Sequence, residues 1–205
     1  MKDRKTMNIA VFASHGGSDL QAIMDACRDG RIDARVSVVI SNNRDAKALE
    51  RAQNAGIDAC HISLTNCQTQ ERHDARVLEI LTRHHIDIIF LAGYLKKLGT
   101  AVLSRFENRI FNIHPSLLPK YGGLGMYGLR VHEAVLAAGE RATGITVHRV
   151  NEAYDEGGII AQTCVEVLPT DTPETLAARV LEREHSFIVE VLRGIIAGIN
   201  DSNQI

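Results

Sequence analysis

The segment FNIHPSLLPK, residues 111–120, places an amide and an imidazole one residue apart at the end of an apolar run. On a strand, residues two apart share a face, so Asn112 and His114 point one way and Phe111 and Ile113 the other. A strand buried between helices should be apolar on both faces. Two polar side chains at its carboxyl end therefore fall where open α/β sheets bind ligands, and Pro115, which cannot continue the ladder, ends the strand there. An amide N–H beside an imidazolium N–H suits a carbonyl that becomes a tetrahedral oxyanion, because both donate to the developing charge. A hydrogen-bonded pair of core residues is the other reading of the same pattern. A histidine acting as an acid needs an orienting carboxylate. Asp155, in the turn YDEGG after an alternating strand, is the best-placed acid, although Asp in such a turn also serves ordinary turn geometry.

A second candidate is ASHGGSDLQ, residues 13–21, where a strand runs through glycines into a helix. Glycines let the backbone approach a ligand, and the free N–H groups of a first helical turn favour an anion. An ordinary tight turn with Ser18 capping the helix has the same pattern. The third glycine of a dinucleotide fingerprint is missing, the second strand ends in Ser41-Asn42-Asn43 without a ribose-binding acid, and no Gly-Lys-Ser/Thr follows. A phosphate monoester fits this loop better than a dinucleotide. In the last helical stretch Leu176, Val180, Ile188, Leu192 and Ile196 recur at multiples of four, and Glu184 fills the missing place. An acid in an apolar stripe is costly unless paired or liganded; a glutamate at the helix edge reaching solvent is the alternative. His132-Glu133 lacks the second histidine of a zinc-binding helix, and Ser116 lacks the flanking glycines of a nucleophile elbow. Neither a protein metal site nor a covalent serine mechanism is expected.

The elements that would position these residues alternate. Apolar runs at 8–14, 35–41, 57–62, 86–93 and 109–114 read as strands, separated by helical patterns from Ser18, over 46–56 and over 70–84. Strands alternating with helices imply a parallel sheet covered on both faces. After a short helix at 131–139, the runs 144–151 and 158–167 suggest an antiparallel pair. Thr172 and Pro173 then open a helix to about Ala197. The expected fold is α/β, an open, mostly parallel twisted sheet with helices on both faces and an antiparallel C-terminal portion.

No repeat or linker divides the 205 residues, so a single domain over 1–205 is expected, with residues 1–7 a disordered leader. Such a chain buries about 70% of the surface its unfolded form exposes. With 23 basic and 25 acidic residues in no blocks of one sign, a nucleic-acid face is not expected, though a local phosphate pocket is compatible. No run reaches membrane-spanning length, the N-terminus is too polar for a signal peptide, and four cysteines without paired spacing read as reduced thiols, mostly in the core. A cytoplasmic protein acting on small molecules is expected, without membrane or nucleic-acid partners, as a monomer or homodimer.

From Asn8 to about Leu192 the chain resembles the phosphoribosylglycinamide formyltransferase family, folate-dependent enzymes of purine synthesis. The resemblance rests on SHGGSDLQAI, the ISNN end of the second strand, FLAGYLKKL, FNIHPSLLPKY, GITVHRVNEAYDEGGII and ARVLEREH. It implies the formyltransferase fold, with Asn112, His114 and Asp155 as the catalytic trio. It also implies 10-formyltetrahydrofolate as co-substrate, without a metal. Gly17, Ser18 and Asp19 would line the acceptor's phosphate site, and Glu184 would bind the glycinamide ribotide. Leu95, Lys96, Lys97 and Leu98, with Asn112 and the loop from Asn151 to Asp155, would hold the folate. The family's loop usually has asparagine where Asp19 stands. A folate-contacting arginine of relatives is replaced by Gln70, with Arg72 nearby, so Lys96 and Lys97 are candidates for the glutamate tail. The glycine-rich stretch 122–130 is longer than in some relatives. A formyltetrahydrofolate hydrolase, an amino-sugar formyltransferase and a non-catalytic phosphate-binding module are the alternatives.

Overall fold

The computed structural model describes residues 6–202. In chain order the elements are β1 (Met7–Phe12), α1 (Ser18–Arg28), β2 (Ala34–Ser41), α2 (Lys47–Asn54), β3 (Asp58–His61), α3 (Leu64–Cys67), α4 (Gln70–Arg83), β4 (Ile88–Leu91), α5 (Thr100–Arg105), β5 (Ile110–His114), α6 (Leu129–Ala137), β6 (Ala142–Arg149), β7 (Ile159–Glu166) and α7 (Pro173–Ser202). The strands form one sheet in the order β3-β2-β1-β4-β5-β6-β7. It is parallel from β3 to β5 and antiparallel from β5 onward. The architecture is the one expected. Residues 1–5 of the expected leader lie outside the described residues, and Met7 is already the buried first residue of β1.

Every residue of β1 and β4 is buried, because helices cover both faces of the sheet. On one face Ile9, Val11, Ile88, Phe90, Phe111 and Ile113 meet α1, α2 and α7. On the other, Ala10, Phe12, Ile89, Leu91 and Ile110 meet α4 and α5. β1 turns to β2 on one side and β4 on the other, which opens a crevice at the carboxyl ends of the strands. Side chains there knit the strand ends together. Ser14 Oγ donates to Asn42 Oδ1 (2.6 Å) and accepts from the Leu95 amide (2.8 Å). Asn43 Nδ2 donates to the Ser14 carbonyl (2.6 Å).

The helix ends differ from expectation in instructive ways. Gly17, in the left-handed region at φ 69°, occupies the N-cap of α1 and no side chain caps it, so Ser18 is the first helical residue rather than a cap. Helix α7 continues to Ser202, past the expected end near Ala197. Two short helices went unanticipated. α3 is nucleated by Ser63 accepting from the Asn66 amide, and Asp74 of α4 receives the Ala101 amide at the start of α5. The cysteines expected mostly in the core are half-buried, with Cys164 exposed. No described helix is long and apolar enough to cross a membrane.

Candidate active site

The alternation of β5 carries Phe111 and Ile113 into the α1–α7 core, leaving Asn112 and His114 on the opposite face. There the cover of α4 and α5 has ended, and both residues line a cavity of about 310 Å³ at the carboxyl end of the sheet. The antiparallel pairing of β6 sets His148 directly across from Asn112 and Thr146 across from His114. Beyond β6 the chain turns back through residues 151–158. Asp155 adopts a left-handed φ of 58°, with its carboxylate facing Asn112, His114 and His148.

That carboxylate accepts from the Gly123 amide at 2.9 Å and from Asn112 Nδ2 at 3.5 Å. Its oxygens lie 3.5 Å from His114 Nδ1 and 3.4 Å from His148 Nε2. His114 Nε2 is 2.8 Å from the Tyr121 carbonyl. A carbonyl only accepts, so Nε2 carries the proton of the neutral ring and Nδ1 is the basic nitrogen facing Asp155. The same logic protonates His148 at Nδ1, 2.8 Å from the Arg149 carbonyl, and leaves its Nε2 to accept from Asn112 Nδ2 at 3.1 Å.

Burial dominates the His114 ring and pushes its pKa below the ordinary imidazole value; His148 adds to this, while Asp155 and the Tyr121 carbonyl oppose it without cancelling it. The resting ring therefore favours its neutral form, rather than the charged form that an oxyanion donor alone would want. Burial by itself raises the Asp155 carboxyl, but the attraction of His148 and His114 in their protonated forms and the Gly123 amide outweigh it and leave the group below the usual carboxylate range. The imidazole and the carboxylate beside it are thus pushed toward opposite states, neutral ring and ionised acid.

Asp19 of α1 and Glu184 of α7 line the same cavity. The stripe on α7 is buried along its length, and Glu184 is 7% exposed, so it does not reach solvent at the helix edge. Burial, and secondarily the neighbouring Asp19, raises its pKa well above the ordinary glutamate value. Burial also pushes Asp19 up to about 6, with His185 opposing. Asp19 Oδ1 has no hydrogen-bond partner and lies 3.7 Å from His185 Nε2. Gly17 and Ser18 sit at the α1 N-terminus but do not line the cavity. A Cβ on Gly17 would come within 2.8 Å of the Ala48 Cβ, so the glycine serves close packing of α1 on α2 as well as its positive φ.

The β4–α5 loop closes the other side of the cavity with Leu95, Lys96, Lys97 and Leu98, facing Asn151 to Asp155. Lys97 Nζ donates to the Glu152 carbonyl at 2.9 Å and stands 4.5 Å from the centroid of the Tyr154 ring. Lys96 has no such partner among the described residues. Gln70 does not line the cavity; its amide donates to Asp74 Oδ1 at 2.7 Å, and Arg72 donates to Gln68 Oε1 at 2.8 Å. Ser116 is fully buried, and its hydroxyl donates to the Lys120 carbonyl at 2.6 Å. It shapes the turn after β5 and is no nucleophile. No metal-binding group of three or more His, Cys, Asp or Glu occurs among the described residues.

His148, the Tyr121 carbonyl and the Gly123 amide were missed by sequence reasoning. A histidine inside the otherwise apolar strand GITVHRVN was the available signal. Its meaning depended on a cross-strand register that residue types alone do not supply.

Residues 7–192 match the family model described as formyl transferase. The chain is 41% identical over 188 residues to the chloroplastic phosphoribosylglycinamide formyltransferase of Arabidopsis thaliana, covering 91% of this chain and 64% of the relative. It thus spans less than two thirds of that plant protein's length. The phosphoribosylglycinamide formyltransferase of Haemophilus influenzae is 40% identical, over 93% of this chain and 87% of the relative. Among solved structures, glycinamide ribonucleotide transformylase 1 from Symbiobacterium toebii superposes with a TM-score of 0.88 at 42% identity, covering 94% of this chain and 89% of that one.

Proposed function

The chain belongs to the formyl transferase family, and we propose that it transfers the formyl group of 10-formyltetrahydrofolate to the primary amine of 5-phosphoribosylglycinamide. It does so as a single domain, monomer or homodimer, acting in the cytoplasm on small molecules. What supports this reading above all is that Asn112, His114 and Asp155, 43 positions apart at the extremes, line one cavity at the mouth of the sheet. A phosphate-binding module would need none of the three there.

The acceptor's phosphate meets the α1 N-terminus at Gly17, Ser18 and Asp19, where unpaired N–H groups and the helix dipole favour an anion. Burial favours the protonated form of Glu184, in which it offers an O–H donor to the ribotide. The folate lies between Leu95 to Leu98 and the loop from Asn151, with Lys96 toward its glutamate tail. The amine nitrogen attacks the formyl carbon, and a C–N bond forms as the carbonyl π pair moves onto oxygen. Asn112 Nδ2 donates to that oxyanion. Neutral His114 takes the proton shed by the attacking nitrogen at Nδ1, where Asp155 stabilises the imidazolium. Its Nε2–H, which donates to Tyr121, is the donor an oxyanion would take over. The proton then passes to the departing folate nitrogen as the old C–N bond breaks, giving formylated amine and tetrahydrofolate. Positioning of two bound reactants supplies much of the rate.

Absorbance at the folate band, with purified protein and 10-formyltetrahydrofolate, is expected to report release only when glycinamide ribotide is present. Release that ignores the ribotide would make the protein a hydrolase, and no release under either condition would end the proposal.

A further inference from the structure

The loop that carries Asp155 is tied down at its ends by backbone. Val150 N donates to the Ile110 carbonyl (2.9 Å), and Arg149 N donates to the Gly158 carbonyl (2.9 Å). Between those ties, the hydrogen bonds, ion pairs and ring contacts that reach residues 151–157 from other elements are of two kinds among the described residues. One kind belongs to the Asp155 carboxylate itself, and the other comes from Lys97. The carboxylate's one short bond is to the Gly123 amide at 2.9 Å, while its distances to Asn112, His114 and His148 are 3.4–3.5 Å, so that bond ties the loop at one point without fixing the carboxylate's aim at those three side chains. Asp155 also has a left-handed φ, which a residue with a Cβ keeps only when its surroundings over-determine it. The Lys97 ammonium supplies a short contact to the Glu152 carbonyl and a cation–π contact to Tyr154, on either side of Ala153.

We propose that Lys97 is a positioning residue that clamps the 151–155 loop across the cavity, so that Asp155 faces His114 and His148. The inference refines the site read above as formyl-transferring. An ammonium committed to the loop is not available to the donor's glutamate tail, a task that falls to Lys96. Folate entering between the two loops meets a wall already in place, and turnover depends on Lys97 through the aim of Asp155.

The test is an NMR titration of the histidine imidazoles in the full chain without substrates, for wild type, Lys97→Met, Lys97→Arg and Tyr154→Leu. The titratable groups facing His114 are Asp155 from the loop, His148 from β6 and His132 from α6. Removing a nearby cation would by itself raise the His114 midpoint, whereas freeing Asp155 lowers it. The expected result is a midpoint lowered by roughly half a unit in Lys97→Met and in the charge-neutral Tyr154→Leu, with Lys97→Arg near wild type. In turnover, kcat falls about fivefold in the same two variants, and the donor KM rises by the same factor for donors with and without a glutamate tail, because the loosened loop also walls the folate. A midpoint that stays or rises, an unchanged kcat, or a loss confined to the KM of the tail-bearing donor overturns the proposal. Should the wild-type chain transfer no formyl group, the functional reading fails while the imidazole titration still decides the role of Lys97.

Discussion

Replacing Asp155 by Asn removes one charge and keeps the side chain's shape. The Asn carbonyl can still accept from the Gly123 amide, which Asp155 holds at 2.9 Å, so the loop stays anchored. What disappears is the negative charge 3.5 Å from His114 Nδ1. At an effective dielectric constant of about 20, two unit charges at that separation attract by ~5 kcal/mol. The Asp155 side chain is 12% exposed, and water at the cavity mouth screens part of this. A carboxylate in such a position typically shifts its partner by ~1–3 pK units, or roughly 1.4–4 kcal/mol of imidazolium stabilisation. If the imidazolium forms fully at the transition state, kcat falls about 10²-fold, within a range of 10 to 10³. The assay measures initial rates of folate release against each substrate, with a thermal melt to confirm the fold. Both KM values should stay within about threefold, because in the proposed mechanism Asp155 acts on the substrates through His114. Asp155→Ala, which also loses the Gly123 contact, should raise the donor KM as well. A kcat for Asp155→Asn within threefold of wild type, or a defect wholly in KM, would refute the role assigned to the carboxylate.

Asp19 gives a prediction about stability. Its pKa is raised from 3.8 to about 6, so its contribution is fully present below 3.8 and lost as pH rises through 6. Asp19→Asn should match the wild-type unfolding free energy near pH 4 and exceed it at pH 8 by about 2 kcal/mol in denaturant melts; a variant less stable than wild type at pH 8 contradicts the burial argument. Thr146, with 0% exposure, donates to the Ser116 carbonyl (2.6 Å) and accepts from the Leu118 amide (3.1 Å) and Gln162 Nε2 (2.9 Å). Thr146→Val strands those groups and should cost about 2 kcal/mol, a Tm loss of roughly 4–8 °C by calorimetry.

Legibility in the sequence followed periodicity. β1, β2, β5 and the β6–β7 pair were readable because apolar runs and alternation reflect one physical demand each, burial on two faces or on one. Asn112 and His114 stood out as violations of that demand. Glu184 did too, yet its fate at the helix edge or in the cavity depended on what α1 would place opposite, and Asp19 is hidden in a turn motif. α3 and α5 were invisible because at four and six residues neither completes an amphipathic repeat. His148 and the lysine clamp lie further out of reach. Both depend on which loop and which strand end up adjacent, and adjacency across 36 or 55 residues leaves no local trace.

The switch from parallel to antiparallel pairing between β5 and β6 has a temporal consequence. Five strands of the sheet are synthesised before residue 115, and they could condense while the ribosome is still working. Yet His148 and Asp155 arrive only when the chain doubles back, and α7 with Glu184 comes later still. A nascent chain can therefore own a folded platform with an amide and an imidazole on it and remain inert, since no carboxylate stands beside them. The cavity is complete only once the stretch from His148 to Glu184 has folded back onto the five earlier strands.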